Sequence, residues 1–311
     1  MKNGRGKQTI YDCAGLGICP ADYICLLDHY PAADEKTVAR GFSRQGGGPV
    51  PNALCALSKW GAKTVIIGVV GDDGDGDFIR REFHAAGVNT RHLKSLKGKC
   101  TKRSFIWVDL KTGTRAVVLD RAGVPAMQAK DIVPAELPPA RFFHCDGWET
   151  DACLKAVRHY RRLGTTVVMD AGSVRGRMEE LIAATDHFVA SQNFVRQYFG
   201  ARTSAKTACR RLLDQGPSVV LITLAEKGCV GETREGDSFS IPGHLGTDSI
   251  VDTTGCGDVF HGGYIYGLLQ DWPIERCARF ANAAAFLKCR YPGGRIGVPR
   301  FEDALALMQS E

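Results

Sequence analysis

Apolar and polar positions along this chain fall into blocks that switch repeatedly between two periods. Val65-Ile66-Ile67-Gly68-Val69-Val70-Gly71 is a continuous apolar run, as a strand covered on both faces requires. Ile10 to Ile18, Arg141 to Cys145, Thr165 to Asp170, Asp186 to Ala190 and Val219 to Thr223 read as further strands. Between them, apolar residues recur at helical spacing. Asn52, Ala53, Leu54, Ala56, Leu57 and Trp60 form one such set, with Pro51 in a natural first-turn position and Gly61 as the stop. Phe78 to Ala86, Ala152 to Leu163, Met178 to Ala184 and Ala205 to Leu213 form others, the first preceded by a loop over Asp72 to Asp77. Two helices, about Asp258 to Leu269 and about Ile274 to Lys288, close the pattern. Strands alternating with helices predict a mostly parallel sheet with helices on both faces.

Two stretches depart from that rhythm. Tyr23 to Ser43 mixes short apolar patches with Pro31 and charges, which points to strands of a subsidiary sheet. Ser104 to Val108 and Arg115 to Leu119, around Lys111-Thr112-Gly113, read as a hairpin with one covered and one open face. Segments 23–45 and 100–121 are therefore expected to form a small β-sheet lid within a single domain spanning 1–311. Cys229 to Gly231 and Asp237 to Ile241 read as antiparallel additions to the main sheet.

Composition narrows the function classes. At 44% hydrophobic and 24% charged, the 311 residues are those of a globular protein. The net charge of +6 is scattered in short groups such as Lys97 to Arg103, so no nucleic-acid partner is expected; anionic small molecules fit better. No apolar run reaches membrane-spanning length, and no membrane partner is expected. The 12 cysteines include no C-x-x-C pair, and several (Cys55, Cys153, Cys209, Cys277) fall on apolar helical positions. With no signal-peptide pattern at the start, the expectation is a reducing cytoplasm.

Candidate chemistry concentrates in Val251-Asp252-Thr253-Thr254-Gly255-Cys256-Gly257-Asp258-Val259-Phe260-His261-Gly262-Gly263. Small residues end in an acid and open a helix. Unpaired N–H groups at such a turn attract a phosphate oxygen, and Asp258 in the first turn can act on an attacking hydroxyl. The same residues read equally as an N-cap with a capping acid. Ligands of parallel sheets bind at the carboxyl ends of the strands, where Asp22, Asp170 and this turn are all expected. There is no G-x-x-x-x-G-K-[ST] loop, and the glycines of Gly68 to Gly76 have the wrong spacing, and too many acids, for a dinucleotide fingerprint.

Asp252 to Asp258, followed by Gly262-Gly263, resembles the C-terminal signature of the ribokinase-like (PfkB) carbohydrate kinases. Gly47-Gly48 with Asn52, then Gly61-Ala62, Gly68, Gly71-Asp72-Asp73, Gly76 and Gly87-Val88, resemble the family's N-terminal signature in order and spacing. Gly17 and Asp22 resemble its opening strand and sugar-binding acid, and Thr223-Leu224 with Glu226-Lys227-Gly228 its nucleotide-side turn. Ala281 to Ala285 and Gly293 to Pro299 resemble its C-terminal helix and following loop. Within the family, Gly46 to Pro49, Asp258 to Gly262 and Leu287-Lys288-Cys289 with Pro292 to Arg295 look closest to the sulfofructose kinases, then to the ketohexokinases.

The resemblance implies a three-layer α/β/α ribokinase-like fold with a mostly parallel central sheet and a small β-sheet lid. It implies an ATP-dependent sugar kinase that phosphorylates a primary hydroxyl of a keto-hexose or anionic hexose derivative. Asp258 would be the general base, with the N–H groups of Gly255, Cys256 and Gly257 as the anion hole. Asp22, Gly47, Gly48 and Asn52 would hold the sugar; without the resemblance, Asp22 and Asn52 read equally as cap or turn residues. Thr223, Gly228, Gly255, Gly257 and Asn282 would border ATP, with Mg²⁺ bridging its phosphates, and Asp252 stands where many relatives help hold a monovalent cation such as K⁺. A nucleoside kinase, clamping its base with Phe42, Phe105 and Trp107, is the nearest alternative; a non-catalytic sugar sensor is a remoter one. Edge strands in the lid are compatible with a homodimer.

Departures from the family pattern carry expectations of their own. Cys256 stands where relatives usually have Ala, Ala225 where many have Gly, and Pro20 where many have Asn. The Asn-x-x-Glu tied to Mg²⁺ appears as Ser191-Gln192-Asn193-Phe194, without the acid. A thiol at a helix N-terminus is expected to have a lowered pKa, so alkylation at Cys256 should inactivate the enzyme and ATP should protect it. Lys36, Arg40, Arg103 and Arg121 are candidate contacts for an anionic tail on the substrate, each set against a solvated role.

Overall fold

The computed structural model describes residues 10–244 and 250–310. Strand β1 (Tyr11–Leu16) is followed by β2 (Ala21–Leu27), β3 (Gly41–Gly46), helix α1 (Pro49–Lys59), β4 (Thr64–Gly71), α2 (Gly74–Ala85) and β5 (Asn89–Leu96). Then come β6 (Arg103–Asp109), β7 (Arg115–Asp120), β8 (Ala140–Cys145), α3 (Thr150–Arg162), β9 (Thr166–Ala171), α4 (Met178–Ala183) and β10 (His187–Ser191). The chain continues through α5 (Gln192–Phe199), α6 (Ala205–Leu213), β11 (Val219–Thr223), β12 (Cys229–Thr233) and β13 (Ser238–Ile241), and ends with α7 (Cys256–Leu269), α8 (Ile274–Lys288) and α9 (Phe301–Gln309).

Nine strands form one sheet in the order β13-β12-β11-β10-β9-β8-β1-β4-β5. All neighbours from β11 to β5 pair in parallel, while β12 and β13 are antiparallel additions. The parallel strands are apolar on both faces because both are covered. Leu154, Tyr160, Leu181, Phe194 and Leu212, from α3 to α6, pack on one face. Leu54, Phe83, Tyr264 and Ala281, from α1, α2, α7 and α8, pack on the other. This is the ribokinase-like three-layer fold.

The small sheet runs β3-β2-β6-β7. Strand β6 alternates strictly, with Ser104, Ile106 and Val108 buried while Phe105 and Trp107 face out. Register places Asp22 between Gln45 of β3 and Ser104 of β6, so it points to the covered side.

Three elements were silent in the sequence, and one was displaced. Helix α2 starts at Gly74, inside the expected loop, because the Asp73 carboxylate caps it by accepting from the Gly76 N–H at 2.9 Å. Strand β5 is an edge strand of mostly polar residues and leaves no apolar signature. Helix α5 is short and opens on Ser191, whose hydroxyl accepts from the Phe194 N–H at 3.0 Å. Helix α9 packs against α8.

Candidate active site

Helix α7 is small or apolar nearly all round and is enclosed by α1 and α8, as a central helix must be. Its glycines allow that closeness. A Cβ on Gly262 would lie 2.9 Å from the Ala53 oxygen, and one on Gly263 the same distance from the Ala281 Cα. The Gly262-Gly263 pair thus serves packing, and it fixes the helix start in place.

That start is open. Gly255 has φ 75°, and a Cβ there would meet the Gly294 Cα at 2.5 Å, so only glycine fits. A Cβ on Gly257 would meet nothing, so the first-turn N–H groups border free space. The Cys256 N–H leans on the Thr253 carbonyl at 3.3 Å, which leaves Gly257 and its neighbours as the freer donors. The Thr254 hydroxyl is enclosed and has no partner among the described residues. These are the features of a cradle for an anion such as a phosphate.

Asp258 stands in the first turn, and its Oδ2 accepts from Asn52 Nδ2 at 2.7 Å. Asn52 is oriented in turn by Arg295, whose Nε donates to Asn52 Oδ1 at 3.0 Å. Arg295 Nη1 pairs with Glu82 at 3.0 Å, and Nη2 reaches the Gly47 carbonyl at 3.4 Å. Glu82 also accepts from the Gly46 N–H. A chain of hydrogen bonds therefore runs from α2 through Arg295 and Asn52 to Asp258. The carboxyl of Asp258 is pushed up by burial and by the Asp170 charge, against the pull of Asn52, His261 and Arg115. The net shift is upward even though Asp258 stands in the first turn of α7. A raised pKa makes it a stronger base once deprotonated.

Asp22 lies beside this network. It is 6% exposed, and burial raises its carboxyl to about 7, against the opposing effects of the Ser104 hydroxyl and Arg295. A Cβ on Gly47 would overlap its carboxylate at 2.1 Å, and Gly48, at φ 96°, caps α1. Asp22, Gly47, Gly48, Asn52 and Asp258 are thus brought together, as the motif order implies. Arg295 completes the group; it lies in the family-like Gly293 to Pro299 loop, but the sequence alone assigns it no role.

Beneath Asp258, His261 Nε2 lies 3.3 Å from Asp170 Oδ1. Burial opposes the Asp170 charge, yet its carboxyl is held below the usual range by His261 and His144.

On the other side of the α7 start, Gly228 (φ 87°) and Asn282 meet the same short segment. A Cβ on Gly228 would lie 2.1 Å from the Ile241 oxygen, and Asn282 Nδ2 donates to the Pro242 carbonyl at 2.9 Å. Thr223 ends β11, its hydroxyl directed to the Ala190 carbonyl at 3.4 Å. Ala225 takes a left-handed φ of 54°, a conformation that favours the glycine of many relatives. Ser191 and Asn193 both direct their side chains to the Gly172 carbonyl and offer no acid to a metal.

Asp252 does not present a vacant carboxylate to a monovalent cation. Its Oδ1 accepts from the Thr254 N–H and its Oδ2 from the Gly293 N–H, both at 2.7 Å. The Lys288 ammonium, 0% exposed, donates to the Asp252 carbonyl at 3.1 Å and the Tyr291 carbonyl at 3.2 Å. A positive charge built into the chain already sits on the carbonyls behind the turn, so these residues do not fit K⁺.

Cys256 departs from its expectation. Its thiol donates to the Asp252 carbonyl at 3.8 Å, and contact with the Cys289 thiol together with burial raises its pKa well above the ordinary range. Cys289 is lowered by the same contact and by Lys288. Iodoacetamide inactivation is therefore expected to follow Cys289. The Cys289→Ala variant should resist, and Cys256→Ala should react more slowly than wild type because the contact that lowers Cys289 is gone; rate constants of activity loss check this, and wild-type sensitivity of Cys289→Ala would refute it.

Comparison with known proteins agrees with this geometry. The pfkB family carbohydrate kinase model matches residues 12–300. The chain belongs to that family. It is a phosphotransferase acting on a sugar hydroxyl. Ribokinase of Haemophilus influenzae is 24% identical over 302 residues, covering 94% of this chain and 97% of that protein. An uncharacterized sugar kinase of Archaeoglobus fulgidus is 30% identical over 258 residues, covering 79% and 99%. Arabidopsis thaliana ribokinase, solved with ribose and ATP, superposes with a TM-score of 0.81 at 19% identity, covering 97% of this chain and 99% of that one. An E. coli protein described as a ribokinase II, solved with ATP and Mg²⁺, gives 0.83 at 20% identity, covering 97% and 100%. Those two structures share the pfkB kinase fold seen here.

Proposed function

We propose that this pfkB kinase transfers the γ-phosphate of ATP to a primary hydroxyl of a sugar. One observation carries the reading: Asp258 is held by Asn52 and Arg295 beside an open, glycine-lined helix start. When bound, Mg²⁺-ATP supplies the electrophilic phosphorus and its own charge neutralisation. Asp22 and the Gly47-Gly48 turn orient the sugar, and Asp258 takes the hydroxyl proton at its carboxylate. The free N–H groups of the Gly255–Gly257 turn stabilise the charge that develops, at about 2.7–4 kcal/mol for one such donor. Thr223, Gly228 and Asn282 border the nucleotide. The test is ATP turnover against hexoses, ketohexose phosphates, sulfofructose and nucleosides; ATP hydrolysis that no sugar stimulates would sink the reading.

The geometry disfavours a nucleoside. Phe42, Phe105 and Trp107 are 64%, 40% and 38% exposed and lie on the open side of the small sheet, away from Asp22. With Val118, which pairs with Phe105, they make an apolar face suited to a second copy of the chain, which supports a homodimer, checked by light scattering.

Asp22 sets a pH dependence. A sugar hydroxyl donates to its carboxylate, so sugar affinity should rise as pH passes through about 7 and flatten in Asp22→Asn. The stability effect has the opposite sign. The unfolded chain loses this proton near 3.8 and the folded chain near 7, so stability falls as pH climbs between them.

A further inference from the structure

Two arginines share one indole where the small sheet meets the main one. The Arg121 guanidinium lies 3.8 Å from the centroid of the Trp148 ring and that of Arg175 lies 3.2 Å from it. Two guanidinium groups this close to one ring would overlap on a single face, so they occupy opposite faces. Arg121 directly follows β7 of the small sheet, and Arg175 lies in the loop after β9.

Neither has a carboxylate partner among the described residues, and Arg175 Nε is enclosed without a hydrogen bond. Four other cations in or beside the small sheet have carboxylate partners. Arg103 pairs with Asp75 at 2.6 Å, Arg44 with Asp75 at 3.3 Å, Arg40 with Asp28 at 2.6 Å and Lys102 with Glu149 at 2.7 Å. Asp146, the acid whose charge acts most on Arg175, accepts at Oδ1 from the Trp148 N–H at 3.0 Å, while Oδ2 is enclosed and unpartnered among the described residues. Burial raises that carboxyl to about 8, so at neutral pH it offers Arg175 little compensating charge. Burial works against the charge on both arginines, while Glu149 favours it at Arg121 and Asp170 at Arg175 without a direct ion pair.

The pair opens on the substrate edge of the sheet. Strand β8 lies between β1 and β9, and Asp146 Oδ2 is 2.6 Å from where a Cβ on Gly17, on the path to Asp22, would stand. A guanidinium stacked flat keeps its N–H edge free, which suits bidentate binding of an oxyanion.

Resting on the kinase reading above, we propose that Arg121, Trp148 and Arg175 form the subsite for an anionic group on the sugar, remote from the hydroxyl that is phosphorylated. Phosphate, sulfonate and carboxylate share the chemistry that would fill it. Because Arg121 follows the small sheet and Arg175 the main one, the anion bridges the two across the substrate.

The experiment measures kcat and KM for fructose, fructose 6-phosphate, 6-deoxy-6-sulfofructose and gluconate, with wild type, Arg175→Met and Arg121→Met. Methionine keeps an apolar stem against the indole. An anionic sugar is expected to be preferred, and each variant to reduce that preference by about 10- to 100-fold, mainly through KM, with Arg175→Lys restoring part of it. A best substrate without charge, or equal losses on charged and uncharged sugars, overturns the proposal and leaves the kinase reading standing. Inorganic sulfate provides a readout independent of turnover. It should stabilise the wild type to heat more than Arg175→Met, in which the anion cradle at the α7 start is intact; equal stabilisation overturns the subsite even if no sugar is phosphorylated, an outcome that would separately end the kinase reading.

Discussion

Asp258→Asn is expected to lower kcat on the best sugar by about 10²–10⁴-fold, the worth of a placed general base. The substitution keeps the shape of the side chain and a partner for Asn52 Nδ2, so ATP and sugar should still bind. What it removes is the site that takes the proton. Stability should move the other way. The carboxyl of Asp258 is raised by burial and by Asp170, so its ionised form is penalised in the folded chain at neutral pH. The neutral amide escapes that penalty, and Tm near pH 7 should be unchanged or higher, with the difference shrinking as the pH is lowered. Loss of turnover with retained stability separates a catalytic role from a structural one. Full turnover by Asp258→Asn would end the mechanism, and a lowered Tm would show that the carboxylate instead holds α7 in place.

The parts of this site that were legible in sequence are those where backbone geometry restricts the residue. Gly255 must be glycine because it is left-handed and touches Gly294, and Gly47 must be glycine because Asp22 fills the space of its side chain. Such constraints leave a spaced pattern that one chain can display. The small sheet was legible for a related reason: the alternation along β6 records one covered and one open face. Strand β5 escaped because an edge strand with polar residues on most positions carries no apolar period.

Cations were the blind spot. Arg121 stands among the candidates for an anionic tail, and Lys288 and Arg295 fall in family-like stretches, but nothing in the sequence gives these three their partners, and Arg175 passes for a solvated side chain. Their roles depend on contacts between segments far apart in the chain, such as Arg295 with Asn52 and Glu82, or Arg175 with Trp148. The same holds for the thiols. Cys256 attracted attention by its place at a helix start, yet the proton balance of the pair is decided by Cys289, which only the packing of α8 brings near.

The most consequential of these cations is Lys288. Wild-type activity is expected to be the same in KCl, NaCl and choline chloride of equal ionic strength, because the charge behind the anion cradle belongs to the chain. Lys288→Met should be costly. It leaves the buried Asp252 carbonyl with only the Cys256 thiol, a weak donor at 3.8 Å, and takes the ammonium from the part-buried Tyr291 carbonyl, at about 1–3 kcal/mol for the buried group, visible as a lower Tm. It also frees two segments that set the α7 start. Asp252 bonds the N–H groups of Thr254 and Gly293, and the Val251 and Asp252 N–H groups bond the Cys289 carbonyl. A shift of about 1 Å in a positioned turn can cost 10²-fold in rate, so kcat should fall by about that factor. The shorter Lys288→Ala opens room beside the same two carbonyls, and K⁺ or NH₄⁺ at high concentration is expected to restore part of the lost activity where Na⁺ or choline does not. Rescue selective for the ions that resemble an ammonium would identify Lys288 as an internal substitute for a bound cation. Activation of the wild type by K⁺ would instead show that the ammonium leaves a cation site open.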